Sequence, residues 1–88
     1  MKSEAQAPDI TVDARGMACP KPVIELAKAV RGMSAGTVAT VLCTDEAARI
    51  DVPAWARLTG NEFVGEVHAD GEKQKDGGAF ALTVRLLG

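Results

Sequence analysis

Tyrosine is absent from this chain of 88 residues, and aromatic side chains make up only 3% of it. Trp55, Phe63 and Phe80 are too few for the base-stacking surface that single-stranded nucleic acid requires. A surplus of one charge is missing too. Ten Lys and Arg against 12 Asp and Glu leave a net charge of −2, so the molecule as a whole has no basic footprint for a phosphate backbone, a local basic face being left open, and no direct nucleic-acid contact is expected. No apolar run approaches the roughly 18 residues of a membrane span. His68 is the single histidine, with no companion at metal-ligand spacing; it reads as a surface residue, and neither metal nor bound cofactor is expected. Cys19 and Cys43 are too few for a disulfide framework, which leaves free thiols as the default. The opening segment MKSEAQAPD has no apolar core. Residues 1–9 are therefore expected to be a disordered tail before a single domain over 10–88, located in the cytoplasm.

What is present is a regular alternation of periodicities. Residues 10–13 alternate apolar and polar as a short strand does. Over 20–31, Val23, Leu26, Ala27 and Val30 recur at helical spacing, with Lys21, Glu25 and Lys28 on the solvated side and Gly32 as the stop. Residues 37–44 are β-branched and read as a central strand, with Val41 and Cys43 on one face and Val38, Leu42 and Thr44 on the other. Asp45 or Thr44 is placed to cap a second helix that carries Ala48, Val52, Trp55 and Leu58 as its core stripe. Pro53 either kinks that helix or stands second in one capped by Asp51, and Gly60 stops it. Residues 63–69 and 79–87 complete the set as strands, with Phe63, Val67, Phe80, Leu82, Val84 and Leu86 as buried alternates. The polar, glycine-rich stretch 70–78 between them reads as a mobile loop. The order β-α-β-α-β-β predicts an α+β fold, a two-layer sandwich with two helices on one face of a four-stranded mixed sheet.

Cys19-Pro20-Lys21-Pro22 is the segment that carries chemistry. Proline suits the first helical position because its φ is fixed and its missing N–H would be unpaired there anyway. Pro20 is thus expected to open the helix and Cys19 to cap it. The partial positive charge of a helix N-terminus favours an anion, so the Cys19 thiol is expected to have a depressed pKa. A small, half-buried cap residue that happens to be cysteine is the competing reading of the same four residues. Gly16, in the connection from the first strand, permits a turn that other residues resist. Arg15 and Lys21 flank the cysteine and offer positive potential, or are ordinary surface charge. Arg49 and Arg57 lie along one side of the second helix, as a docking surface for an acidic partner or as solvated charge. Cys43 reads as core packing, and Asp45, Glu46 and Asp51 as helix-capping carboxylates.

The string Asp13-Ala14-Arg15-Gly16-Met17-Ala18-Cys19-Pro20-Lys21-Pro22 closely resembles D-x-R-G-x-x-C-P-x-P, the opening motif of the TusA/SirA-like sulfur-carrier family. The likeness continues through Thr44-Asp45, Asp51-Val52-Pro53-Ala54-Trp55 and Thr59-Gly60-Asn61-Glu62. The resemblance implies the same β-α-β-α-β-β sandwich, like the C-terminal domain of bacterial translation initiation factor three. It implies that Cys19 carries sulfur as a persulfide, taken from a cysteine desulfurase or a rhodanese-type donor and passed to an acceptor protein. Such sulfurtransferase-type relays serve tRNA thiolation, molybdenum-cofactor assembly or sulfur metabolism, and the resemblance does not choose among them. By the same resemblance Pro20, Lys21, Pro22 and Gly16 support the cysteine, and a monomer is expected, since the sulfur must reach two partners. The chain departs from many relatives at Ala56, where they have a second cysteine, and at Asn61, where they often have histidine. Two alternatives dispense with sulfur transfer: a thiol-based redox or regulatory module in which Cys19 pairs with Cys43, and an RNA-contacting module.

Overall fold

A computed structural model describes residues 8–68 and 78–87. Residues 1–7 of the expected tail, most of the expected loop (70–77) and the side chain of His68 lie outside the described residues. The elements are β1 (Ile10–Asp13), α1 (Lys21–Val30), β2 (Val38–Cys43), α2 (Ala48–Leu58), β3 (Glu62–His68) and β4 (Phe80–Arg85). They form one mixed sheet in the order β1-β2-β4-β3, with β1 parallel to β2 and both other pairs antiparallel. Both helices pack against the sheet and against each other, α1 over β1 and β2, α2 over β3 and β4. This is the α+β two-layer arrangement that the alternation of periodicities predicts.

Register explains the core. Ala39, Val41 and Cys43 of β2 share a face with Phe80, Leu82 and Val84 of β4. All six are fully buried, together with Leu26 of α1 and Val52 of α2. On the opposite face the Thr40 and Thr83 hydroxyls meet across the same pair of strands at 2.8 Å. Asp9, expected within the tail, docks instead on β2: its N–H donates to the Val38 carbonyl at 2.7 Å, and its carboxylate accepts from Val38 N–H at 2.9 Å.

Three expectations fail for identifiable reasons. Val67 is 63% exposed, not buried. The pairing steps from Phe63↔Val84 to Gly65↔Thr83, so Val64 is an extra residue, a β-bulge. One inserted residue exchanges the faces of everything after it, which turns Val67 outward and Glu66 towards the helices. Leu58, expected in the core stripe, ends α2 at 85% exposure. Pro53 is not the second residue of a helix capped by Asp51, since α2 begins at Ala48 and continues through it.

Gly60 does stop α2. Its N–H donates to the Arg57 carbonyl while Asn61 N–H donates to Ala56, with Gly60 at φ +78, the paired bonds of a Schellman motif. Asn61 then anchors the chain end of β4, its side-chain oxygen accepting from Leu87 N–H at 3.1 Å.

The bulge and the core make opposite predictions for two substitutions in neighbouring strands. Leu82→Ala is expected to cost about 2–5 kcal/mol by leaving a cavity. Val67→Thr is expected to stay within about 0.5 kcal/mol. Urea unfolding midpoints measure both, and a similar large loss at both positions would contradict the register.

Candidate functional site

The connection between β1 and α1 carries the CPxP segment, and the end of β2 and the turn after it hold it along its length. Ala14 N–H donates to the Leu42 carbonyl at 2.8 Å, Gly16 N–H to Thr44 Oγ1 at 2.9 Å, and Cys19 N–H to Asp45 Oδ2 at 2.9 Å. Gly16 occupies the third position of a turn closed by Met17 N–H on the Ala14 carbonyl, at φ +83. That is the type II geometry, which a side chain at this position resists.

Helix α1 starts one residue later than its sequence suggests. Ile24 N–H donates to the Pro20 carbonyl, so Pro20 is the N-cap, Lys21 the first helical residue and Pro22 the second. Pro22 is buried under the helix start, and the Cys19–Pro20 peptide is cis. Cys19 precedes the cap rather than forming it. Its thiol is exposed and donates to Asp51 Oδ2 of α2 at 2.6 Å.

The expected depression of the Cys19 pKa is therefore reversed. The hydrogen bond to Asp51 holds the thiol proton in place and raises the pKa above the ordinary cysteine value. Desolvation and the negative charges of Asp51 and Asp45 act in the same direction. Asp45 itself is kept below the usual carboxylate range by the N–H groups of Ala47 and Cys19. It thereby holds the turn before α2 rather than capping the helix itself, whose N-cap is Ala47 and which has no side-chain cap hydrogen bond.

The thiol opens onto a groove of about 360 Å³. Besides Cys19 and Asp51 its lining is Pro20, Val23, Ala54, Trp55 and Leu58, all apolar. Trp55, expected only in the core, is partly buried and forms one wall. Sequence periodicity assigns Trp55 and Leu58 to a single stripe and gives no sign that its end is left uncovered beside the cysteine.

The candidate cations are placed differently. Arg15 is occupied by Asp13, its Nε and Nη2 each 2.9 Å from a carboxylate oxygen, and this pairing holds Asp13 at a pKa of about 2. Arg49 does not present a docking charge. It pairs with Glu46 at 2.6 Å and Glu66 at 2.8 Å and lies 4.0 Å over the Phe80 ring, an arrangement possible because the bulge turns Glu66 towards α2. Lys21 and Arg57 form no ion pair among the described residues.

Cys43 is buried in the sheet, donates weakly to the Val41 carbonyl at 3.8 Å, and has its pKa pushed up to about 11 by desolvation. Native protein treated with iodoacetamide is thus expected to be alkylated at Cys19 alone, with Cys43 reacting only after unfolding. Peptide mapping measures this, and comparable labelling of both thiols in the folded state would contradict the burial.

The family model described as Sulfurtransferase TusA matches residues 10–85. A Sulfur carrier protein TusA of Pseudomonas putida is 35% identical over 78 residues, 89% of each chain. YrkF of Bacillus subtilis, named as a candidate sulfur carrier protein, is 40% identical over 63 residues, 72% of this chain; the match spans only 34% of that longer relative. The crystal structure of a SirA-like protein from Desulfitobacterium hafniense superposes with a TM-score of 0.66 at 31% identity, covering 90% of this chain and 99% of that one. The chain belongs to the TusA sulfurtransferase family.

Proposed function

We propose that this protein is a sulfur carrier that takes sulfane sulfur onto Cys19 as a persulfide and hands it to an acceptor protein. The observation that carries the reading is an exposed Cys19 thiol, held by its own backbone N–H and its Sγ, at the edge of an apolar groove. The sequence similarity to named sulfur carriers supports it. In the loading step Sγ attacks the outer sulfur of a donor persulfide. The new Sγ–S bond forms as the donor's S–S bond breaks, and the Cys19 proton ends on the donor cysteine. No oxidant or reductant is needed, because a sulfane sulfur simply changes partners. Delivery is the same exchange with an acceptor thiol as nucleophile.

The groove supports a transfer between proteins. Leu58 and Trp55 give an incoming loop apolar surface to bury next to the reacting sulfur. Cysteine desulfurases and rhodanese-type proteins are the donor class proposed, and the carrier acts as a monomer in the cytoplasm. No helix among the described residues is long and apolar enough to cross a membrane. Pairing of Cys19 with Cys43 would require drawing a core residue out of the sheet.

Cys19→Ser is expected to abolish transfer of radiolabelled sulfur from a cysteine desulfurase to this protein, and Cys43→Ser to leave it. Labelling that persists in the first variant would overturn the assignment.

A further inference from the structure

Asp51 has a position that helix architecture does not explain. The turn before α2 is held by Asp45 on Ala47 N–H. The Asp51 carboxylate makes no other hydrogen bond and no ion pair among the described residues, and its Oδ2 lies 2.6 Å from Cys19 Sγ. A carboxylate can accept from sulfur only while the sulfur bears a proton. Once Sγ is bonded to a second sulfur, that donor is gone.

We propose that Asp51 sets the equilibrium of sulfur transfer, holding the proton on the empty Cys19 thiol and so biasing the carrier towards giving its sulfur up. The inference deepens the carrier reading above and rests on it. The exchange is Cys19–SH with an ionised donor persulfide R–S–S⁻, giving Cys19–S–S⁻ and R–SH. One S–S bond is made and one broken, and the proton moves from Cys19 to the donor cysteine. Charge is conserved, but its location is not. In the empty carrier a neutral thiol satisfies Asp51. In the loaded carrier an anionic sulfur, one S–S bond of about 2.05 Å beyond Sγ, stands near an unsatisfied carboxylate.

The charged groups around Sγ act together. Asp51 faces it from α2, and Asp45 faces it from the turn after β2. On the α1 side Lys21 is exposed at the first helical position and pairs with neither. The raised thiol pKa has the same origin, since both carboxylates penalise negative charge on this sulfur. The site therefore stabilises the discharged state relative to the loaded one, which suits a protein whose task is delivery.

The test equilibrates the full chain with glutathione persulfide and glutathione at a fixed ratio and neutral pH. Intact-mass spectrometry then reads the loaded-to-empty ratio. Asp51→Asn and Asp51→Ser both remove the charge, and each is expected to raise that ratio by about tenfold, the factor equal to one pKa unit. The pH midpoint of Cys19 alkylation by iodoacetamide is expected to fall in the same variants, a shift that a purely structural role would not produce. A ratio unchanged or lowered in folded variants, while the parent chain loads normally, would overturn the role of Asp51 alone. Failure of the parent chain to load at any ratio would overturn the carrier reading and this inference with it.

Discussion

One carboxylate fixes the two halves of the site to each other. Asp45 accepts the Cys19 N–H through one oxygen and the Ala47 N–H through the other. The first bond locks the segment that carries the thiol, and the second sets the entry of α2, which carries Asp51. Without that bridge, the 2.6 Å approach of Asp51 to Sγ would depend on two independently placed elements. Asp45 can do this because β2 ends at Cys43, so its side chain emerges where the parallel β1–β2 pair delivers the connection to α1. Thr44 adds a further hold on Gly16.

Two electrostatic influences compete at the sulfur, and their sizes decide the outcome. A helix N-terminus offers about half a positive charge, spread over its free N–H groups. Here Pro20 and Pro22 lack two of those groups, and the thiol sits before the cap. Against it stands a full negative charge in direct hydrogen-bond contact, with a second carboxylate near. The carboxylates prevail, so Cys19 is held as a protonated thiol. Such a thiol reacts more slowly with alkylating agents and oxidants than a thiolate would, because the thiolate is the reactive form. Exposure on an apolar groove still leaves it accessible from solvent.

The layer architecture was legible because the elements other than β3 have an undisturbed period. Leu26 and Val30 read as helix, Ala39 to Cys43 as buried strand, and Gly60 as a stop. β3 was not, since a single extra residue at Val64 leaves no mark in composition yet moves Val67 to solvent and Glu66 to Arg49. At the site, Cys19 and its two prolines announced a helix start. The one-residue offset of the cap was beyond reach, because Pro20 is acceptable both as cap and as first residue. Asp51 stands 32 positions from Cys19, and its contact exists only once the Asp45 turn and the packing of α1 on α2 have brought the two together. A local reading therefore assigned it to capping and gave the thiol the wrong direction of pKa shift.

The account stands on the protonation state of one sulfur, and NMR reads that directly. Isotope labelling of cysteine allows the Cys19 Cβ chemical shift to be followed against pH in the folded protein. The geometry predicts a titration midpoint above the ordinary cysteine value of about 8.5. A midpoint below that value would mean that the helix terminus, not the Asp51 carboxylate, governs the site.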